Sequence, residues 1–489
     1  MEKKTSLVAV VSNEDSAYSY ENRLCRPSEN YPEYLLKDIS EEKNNIYGMV
    51  RESFRLLGLD ADNYGKACWN PLGEVIHPGD TVLIKPNLVM HKNANVFDGT
   101  DCLYTQPEVV APVIDYALIA LQGEGKIIIG DAPMQECDFD YLLKYSGYQD
   151  LVKYYQNKKF PVSIVDFRGL HSTVKDGIRY SIENKNAKGL VIALDDDSEF
   201  AGITDEKVAK MRITNYDPRI LQKHHNVFRH EYYISNYVLE ANVIINMPKP
   251  KTHRKAGATI SLKNFVGVNT RKEFLPHHTM GSIKEGGDEY LEKNLAQRFR
   301  SRLRDKRNIA QAEGNYLEAK IYRRLIGFVD KILRVQRTRY SEGSWYGNDT
   351  ISRTIIDLNK VIKYADNTGK MKNEPQRKML IVADMIVSGE KEGPVAPSAK
   401  SVGIIASGIN QVCFDEAISM IMGLDYKKIP TIVRARQSQK KYPLVDKNEF
   451  PLIISNDSRY NYKKLGEISR IESLQFVPTS GWTNHIETE

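Results

Sequence analysis

At 489 residues, with 41% hydrophobic and 27% charged residues, the chain is long enough for two or three domains and too apolar for global disorder. No apolar run approaches the roughly 18 residues that span a bilayer. Leu7–Val11 is too short for a signal-peptide core and reads as a first strand, so a cytoplasmic protein is expected. The net charge of +6 conceals an asymmetry: Glu292 to Arg339 holds 14 Lys/Arg against 5 Asp/Glu, a net of +9 that leaves −3 for the remainder.

Along the first third, strand and helix signals alternate. Leu7–Val11 is followed by a helical periodicity over Asn45–Leu57, then strand Thr81–Ile84, helix Pro107–Leu121, strand Lys126–Ile129, helix Phe139–Gln156 and strand Val162–Val165. Short strands Gly189–Leu194, Tyr232–Tyr237 and Val243–Ile245 come next. A Gly-, Lys- and His-rich stretch from Arg254 to Asp288 reads as a long functional loop. Leu291–Val335 predicts a helical hairpin turning at Glu313–Asn315. Helix Ile351–Tyr364, strands Leu380–Ala383 and Val402–Ala406, and helix Gln411–Met422 complete the pattern. This alternation predicts an α/β fold, a mainly parallel sheet with flanking helices, plus a basic helical insertion near 291–340. The expected division is an α/β part over 1–290 carrying most of the site, the insertion, and a C-terminal α/β part over 341–489 that completes the cleft.

The residues that follow the strands carry the functional signal. Thr81–Ile84 is followed by Lys85-Pro86-Asn87, Lys126–Ile129 by Gly130-Asp131, and Val243–Ile245 by Asn246 and then Lys249, Lys251 and His253. Leu380–Ala383 is followed by Asp384. In open parallel sheets ligands bind outside the carboxyl ends of strands, so these residues point to one cleft. Lys85, Asn87, Lys249, Lys251, Asn264 and Asp384 are the expected substrate contacts. His253, Lys263 and Asp131 are the expected catalytic groups, with His253 the natural general acid/base. Gly257 permits a turn, and Thr259 or Ser261 would cap a short helix that returns Lys263 to the opening. Lysines suit phosphate or carboxylate, and carboxylates such as Asp131, Asp384 and the Asp195–Asp197 run suit a divalent metal. A small anionic or polar substrate is the plain inference. The chain has no GxSxG elbow, P-loop, GxGxxG fingerprint or HExxH helix. Its five cysteines form no CxxC, so neither a zinc ribbon nor a disulfide framework is indicated.

The segment NMPKPKTHRKAGATISLKNFVGV (Asn246–Val268), with VLIKPNLV (Val82–Val89), GDAP (Gly130–Pro133), VADMIVSGEKEGP (Val382–Pro394) and WYGNDT (Trp345–Thr350), resembles the family called domain of unknown function 362. The resemblance spans roughly Thr81 to Leu424 and implies no particular reaction. Some relatives carry a CxxCxxC cluster; this chain has none, so no iron–sulfur role carries over. A local stretch is also similar to nickel-pincer lactate racemases: His253, Ala256-Gly257, Thr259 and Lys263 fall at the racemase spacing. That similarity implies Lys263 as a tether for a pincer-type nickel cofactor, His253 as a proton shuttle, and His277 or His278 as a metal ligand. The glycine-rich stretch of the racemases is replaced here by Ile260-Ser261-Leu262.

Two functions of other classes compete with an enzyme. The basic insertion could neutralise nucleic-acid phosphates, although its charges oppose an apolar stripe, the mark of a solvated face. The same amphipathic pair could meet an anionic membrane surface or another copy of the chain.

Overall fold

The computed structural model describes residues 6–19, 25–336 and 340–489. Ten strands form its main sheet: β1 (Leu7–Ser12), β2 (Thr81–Pro86), β3 (Lys126–Asp131), β4 (Val162–Asp166), β5 (Val243–Met247), β6 (Lys251–His253), β7 (Gly257–Thr259), β8 (Lys378–Glu392), β9 (Ala396–Gly408) and β10 (Leu452–Ser455). Across the sheet the order is β10-β1-β9-β8-β5-β2-β3-β4, with β6 pairing β8 and β7 pairing β6. The run β8-β5-β2-β3-β4 is parallel throughout, and β9 runs against both of its neighbours. Strands from the two ends of the chain thus close one half of the sheet together.

Period-two alternation explains how the sheet is buried on both faces. In β3, Ile127 and Ile129 pack on one side, against helices α1 (Asn45–Leu56), α2 (Pro107–Leu121), α3 (Phe139–Ser146) and α4 (Tyr148–Asn157). Ile128 points the other way, with Leu83 and Ile244, toward a later helix that carries Leu358, Val361 and Ile362. Burying each such side chain contributes roughly 1.5–3 kcal/mol. The remaining elements that matter to the site are α5 (Ser261–Asn264), α6 (Leu295–Ala312), α7 (Tyr316–Val335), α8 (Thr350–Tyr364) and α9 (Gln411–Met422). Helix α8 is the one bearing Leu358.

Several expectations need correction. The stretch Phe139–Gln156 is two helices, because Gly147 at φ +92° ends α3 and begins α4. Gly189–Ala193 and Arg229–Ser235 stand outside the main sheet, in a three-stranded antiparallel sheet with His225–Asn226. Strand β8 does not stop at Ala383. Its long antiparallel ladder with β9 carries it to Glu392, with an irregularity between Met385 and Val387. The helical hairpin turns where the sequence indicates, and Asn294 and Asn315 cap its two helices by accepting backbone N–H bonds.

Arg377 links the sheet to α8. Its buried guanidinium donates to Val238 O (2.8 Å), Leu239 O (2.5 Å), Ile362 O (2.9 Å) and Ala365 O (2.6 Å), satisfying the carbonyl end of α8. Arg377→Met leaves those carbonyls buried and unpaired. We expect a loss of about 3 kcal/mol in urea unfolding; a loss within about 0.5 kcal/mol, the range of an ordinary surface change, would show that water replaces the guanidinium.

Candidate functional site

The chain leaves β5 at Met247 and crosses the carboxyl edge of the sheet through Pro248 and Pro250, which fix extended backbone and remove two donors. It then forms the β6–β7 ribbon, with Gly257 at φ +77°, and turns into α5. The cap of α5 is not Thr259 or the Ser261 side chain. Asp415 on α9 accepts from Ser261 N (2.8 Å), Ser261 Oγ (2.5 Å) and Leu262 N (3.1 Å), so the cap is supplied from another element.

Asn264 at the end of α5 ties the strand ends together. Its Nδ2 donates to Lys85 O (3.1 Å) and Asn246 Oδ1 (2.7 Å), and its Oδ1 accepts from Asn87 Nδ2 (3.1 Å). Asn87 in turn accepts from Lys251 Nζ (2.7 Å). Beneath them Lys85 Nζ lies 2.8 Å from Asp131 Oδ1, both side chains almost fully buried. Asp131 also accepts from Leu88 N (2.6 Å) and Ala132 N (2.8 Å). Gly267 lies against this pair: a Cβ there would overlap Asp131 Oδ1 and stand 2.9 Å from Lys85 Nζ.

Above this floor is a cavity of about 200 Å³. Asn87, Asp131, Lys251, His253, Lys263, Asn264 and, of the residues implied by the racemase similarity alone, His277 line it. Four expected residues do not. Lys85 is wholly buried under the floor. Lys249 and Asp384 pair with each other at 3.0 Å and with the Tyr18 hydroxyl (2.6 Å to each), in a separate buried cluster. Asp384 lies within β8, where its carboxylate accepts Gln106 N (2.9 Å) at the start of α2. His278, at the start of a short strand His278–Thr279, faces a second, smaller cavity beside Glu289, Arg304 and Glu342, whereas His277 lines the first. The two histidines therefore do not act as a pair. The Asp195–Asp197 run is a 3-10 turn where Asp195 accepts His230 N (3.2 Å), away from the cavity lining.

Four lining cations escaped the strand-end reading: Arg179, Arg254, Lys255 and Lys272. Lys255, two residues after His253, donates to Thr214 Oγ1 (2.9 Å). Lys272, in the loop read as functional, donates to Ala132 O (2.8 Å). Arg179 arrives from a surface ribbon and pairs with Glu136; nothing local in the sequence marks it.

Burial, with repulsion from nearby cations only partly offset by carboxylates, pushes these amines down: Lys263 to about 7, Lys255 to about 7 and Lys272 to about 8. Burial and nearby Lys249 likewise take Lys251 to about 7. Lys263 Nζ has no hydrogen bond or ion pair among the described residues. Burial, with Lys263 and Arg254 close by, holds His253 well below the usual histidine range. Its Nδ1 accepts from Lys255 N and Ala256 N (3.1 Å each), which leaves a neutral ring with hydrogen on Nε2. His277 is the complement: Nδ1 donates to Leu275 O (2.8 Å), leaving an Nε2 lone pair. No three of His, Cys, Asp and Glu among the described residues are grouped to hold a metal ion.

Gly267→Ala tests the floor. The added methyl has to displace the Lys85–Asp131 pair, so we expect a loss of about 2–3 kcal/mol in urea unfolding. Unchanged stability would show that the pair yields without consequence.

These motifs lie inside a recognised segment. Residues 82–184 and 196–419 match the family model described as Domain of unknown function (DUF362). A thylakoid-associated protein of Synechocystis sp. is 28% identical over 233 residues, covering 48% of this chain and 49% of that protein, so the chain spans about half the length of the curated relative. No solved structure matches the chain. With Lys85, Asp131, Lys263 and Asn264 all inside the matched residues, the chain belongs to the DUF362 family.

Proposed function

We propose that the protein is an enzyme acting on a small, multiply charged anion held in the cavity above Asn264. The observation that carries this reading is the charge balance of the lining. Arg179, Lys251, Arg254, Lys255, Lys263 and Lys272 face the space, and its carboxylates, Asp131 and Glu136, are already engaged by Lys85 and Arg179. Buried cations without counter-charge are costly, and an anionic group of the substrate supplies that charge. The lysines act as point charges on phosphate or carboxylate oxygens.

Lys263 is the reactive group in this reading. An amine titrating near 7 is half neutral at physiological pH, which suits a base that takes a proton or a nucleophile that attacks a carbonyl. His253 then serves as a neutral Nε2–H donor that polarises a substrate oxygen, rather than as the general acid/base its type suggests. His277 Nε2 is placed to accept a hydrogen bond. A reducing, cytoplasmic setting is part of this reading, supported by the absence of a disulfide at Cys68, Cys102, Cys137 and Cys413.

A second reading has one observation in its favour: Lys263, His253 and His277, the positions implied by the racemase similarity, line the same cavity. The chain offers a metal little beyond His277 Nε2, so a pincer-type nickel group would have to bring its own donors, with Lys263 holding it. Intact mass and elemental analysis decide this. A mass equal to the sequence, without nickel, eliminates the second reading and leaves the first.

The leading reading makes a signed prediction. The folded lysines bind protons more weakly than the unfolded chain, whose lysines titrate near 10.5. Without ligand, stability therefore rises as pH climbs from about 7 toward 10. An anion reverses this by favouring the charged amines. Calorimetry with sulfate, which stays a dianion, should show proton uptake near pH 8 and little near pH 5.5, with affinity falling as pH rises. Lys263→Met should weaken binding at least about tenfold, and its melting-temperature gain over wild type should shrink above pH 7. Sulfate binding without proton uptake near pH 8 would refute the assignment.

A further inference from the structure

Helix α7 has two apolar faces, and only one is covered. Ile326, Val329 and Leu333 pack with Leu303 of α6. On a different arc Leu317, Ile321, Leu325, Phe328, Ile332 and Val335 stand in solvent, from 39% exposed at Ile332 to 84% at Val335. At 100° per residue these six occupy an arc of about 80°, roughly 120° from the face on α6. The stripe runs the 20-residue length of the helix, about 30 Å.

The neighbouring helix continues it. Leu295 and Phe299 of α6 are 75% and 53% exposed. They lie about 40–80° around the helix from Leu303, which faces α7. Ser301 and Gln297 on the other side bond to Glu289 and Tyr340 of the body. Because the two helices are antiparallel, Leu295 and Phe299 fall on the same outward side of the hairpin as the α7 stripe.

Charge frames this surface. Exposed Lys320, Arg324 and Lys331 run along the outer edge of the α7 stripe, and exposed Arg298, Arg302 and Lys306 along that of α6. The exposed acids of the hairpin, Glu292 and Glu313, sit at its ends. An apolar face of this extent on a soluble protein marks an interaction site. Its rims select the occupant. Nucleic acid would meet the cations but leave the stripe against water. A second copy would bring two sets of cations together with few acids between them. A surface that is negatively charged outside and apolar just beneath satisfies both features.

We propose that the α6–α7 hairpin is a peripheral anchor that lies in the interface of a bilayer containing anionic lipid. Leu317 to Val335, with Leu295 and Phe299, enter the acyl boundary, and the six rim cations lie at the phosphate level. This is independent of the chemistry in the cavity. The hairpin is nonetheless rigidly tied to the cavity wall, through Arg307 to Asn215 Oδ1 (2.9 Å) and Tyr316 against Tyr180 (4.5 Å between rings). Docking therefore fixes how the cavity stands relative to the membrane.

The test is sedimentation of the full-length protein with phosphatidylcholine vesicles, with and without phosphatidylglycerol. Partitioning at least about tenfold stronger with phosphatidylglycerol, and weakened by salt, is expected. The double variant Leu325→Glu/Phe328→Glu should lose at least about tenfold in partitioning, as should Lys320→Glu/Arg324→Glu/Lys331→Glu. All the altered side chains are exposed, so melting temperature and sulfate binding should not change. The proposal is overturned if wild type ignores phosphatidylglycerol vesicles, or if neither variant weakens its binding. It is equally overturned if light scattering shows a concentration-dependent dimer that Leu325→Glu/Phe328→Glu dissolves, since the face would then belong to a second copy.

Discussion

The Lys85–Asp131 ion pair is the constraint on which the cavity depends. Two charges taken out of water are costly, and the cost is offset only when geometry and extra hydrogen bonds are good. Here they are: 2.8 Å between Nζ and Oδ1, Pro86 O accepting from Lys85 (2.7 Å), and two backbone N–H groups donating to Asp131. Those backbone groups belong to the loops after β2 and β3, so the pair fixes both strand exits. It also needs the space that Gly267 leaves open, which draws the turn after α5 against the sheet. A single buried pair thus sets the positions of Asn87, Asp131 and Asn264 relative to one another.

The same pair shapes the electrostatics above it. Asp131 is committed to Lys85, so it screens Lys263 and Lys272 only in part, and both remain depressed. Fold stability alone would favour an apolar lining, since each unpaired buried cation is a loss. Depressed amines around an open space are the arrangement expected where function takes precedence over stability.

Much of this was legible in the sequence, and the failures have specific causes. Strand ends located Asn87, Asp131 and the Lys251–Asn264 segment because a parallel sheet brings all its carboxyl ends to one edge. The rule failed for Asp384, since nothing local shows that β8 continues to Glu392 in a ladder with β9. Lys249 was equally opaque: its partners, Tyr18 and Asp384, come from opposite ends of the chain. Arg179 reaches the cavity from a ribbon whose docking is wholly tertiary. The periodicity of α7 was visible, but hydrophobic positions on two arcs read as one broad stripe until packing shows which arc is filled.

Cations serve two ends in this molecule, and their solvation separates them. In the cavity they are desolvated, so their charge responds to pH in the range about 7 to 8 and is poorly screened by salt. On the hairpin they are hydrated, so their charge is strongly screened by salt. Raising pH therefore acts on the cavity amines, while raising ionic strength acts chiefly on the hairpin. The proposed anion binding and the proposed membrane attachment can thus be tested separately in the intact protein. The exposed cations on the hairpin need no buried partner to persist, which is why a strongly basic segment can coexist with a body of net charge −3. The cavity cations, by contrast, are maintained only by the framework of Asn264, Asp131 and Asp415 that holds their backbone in place.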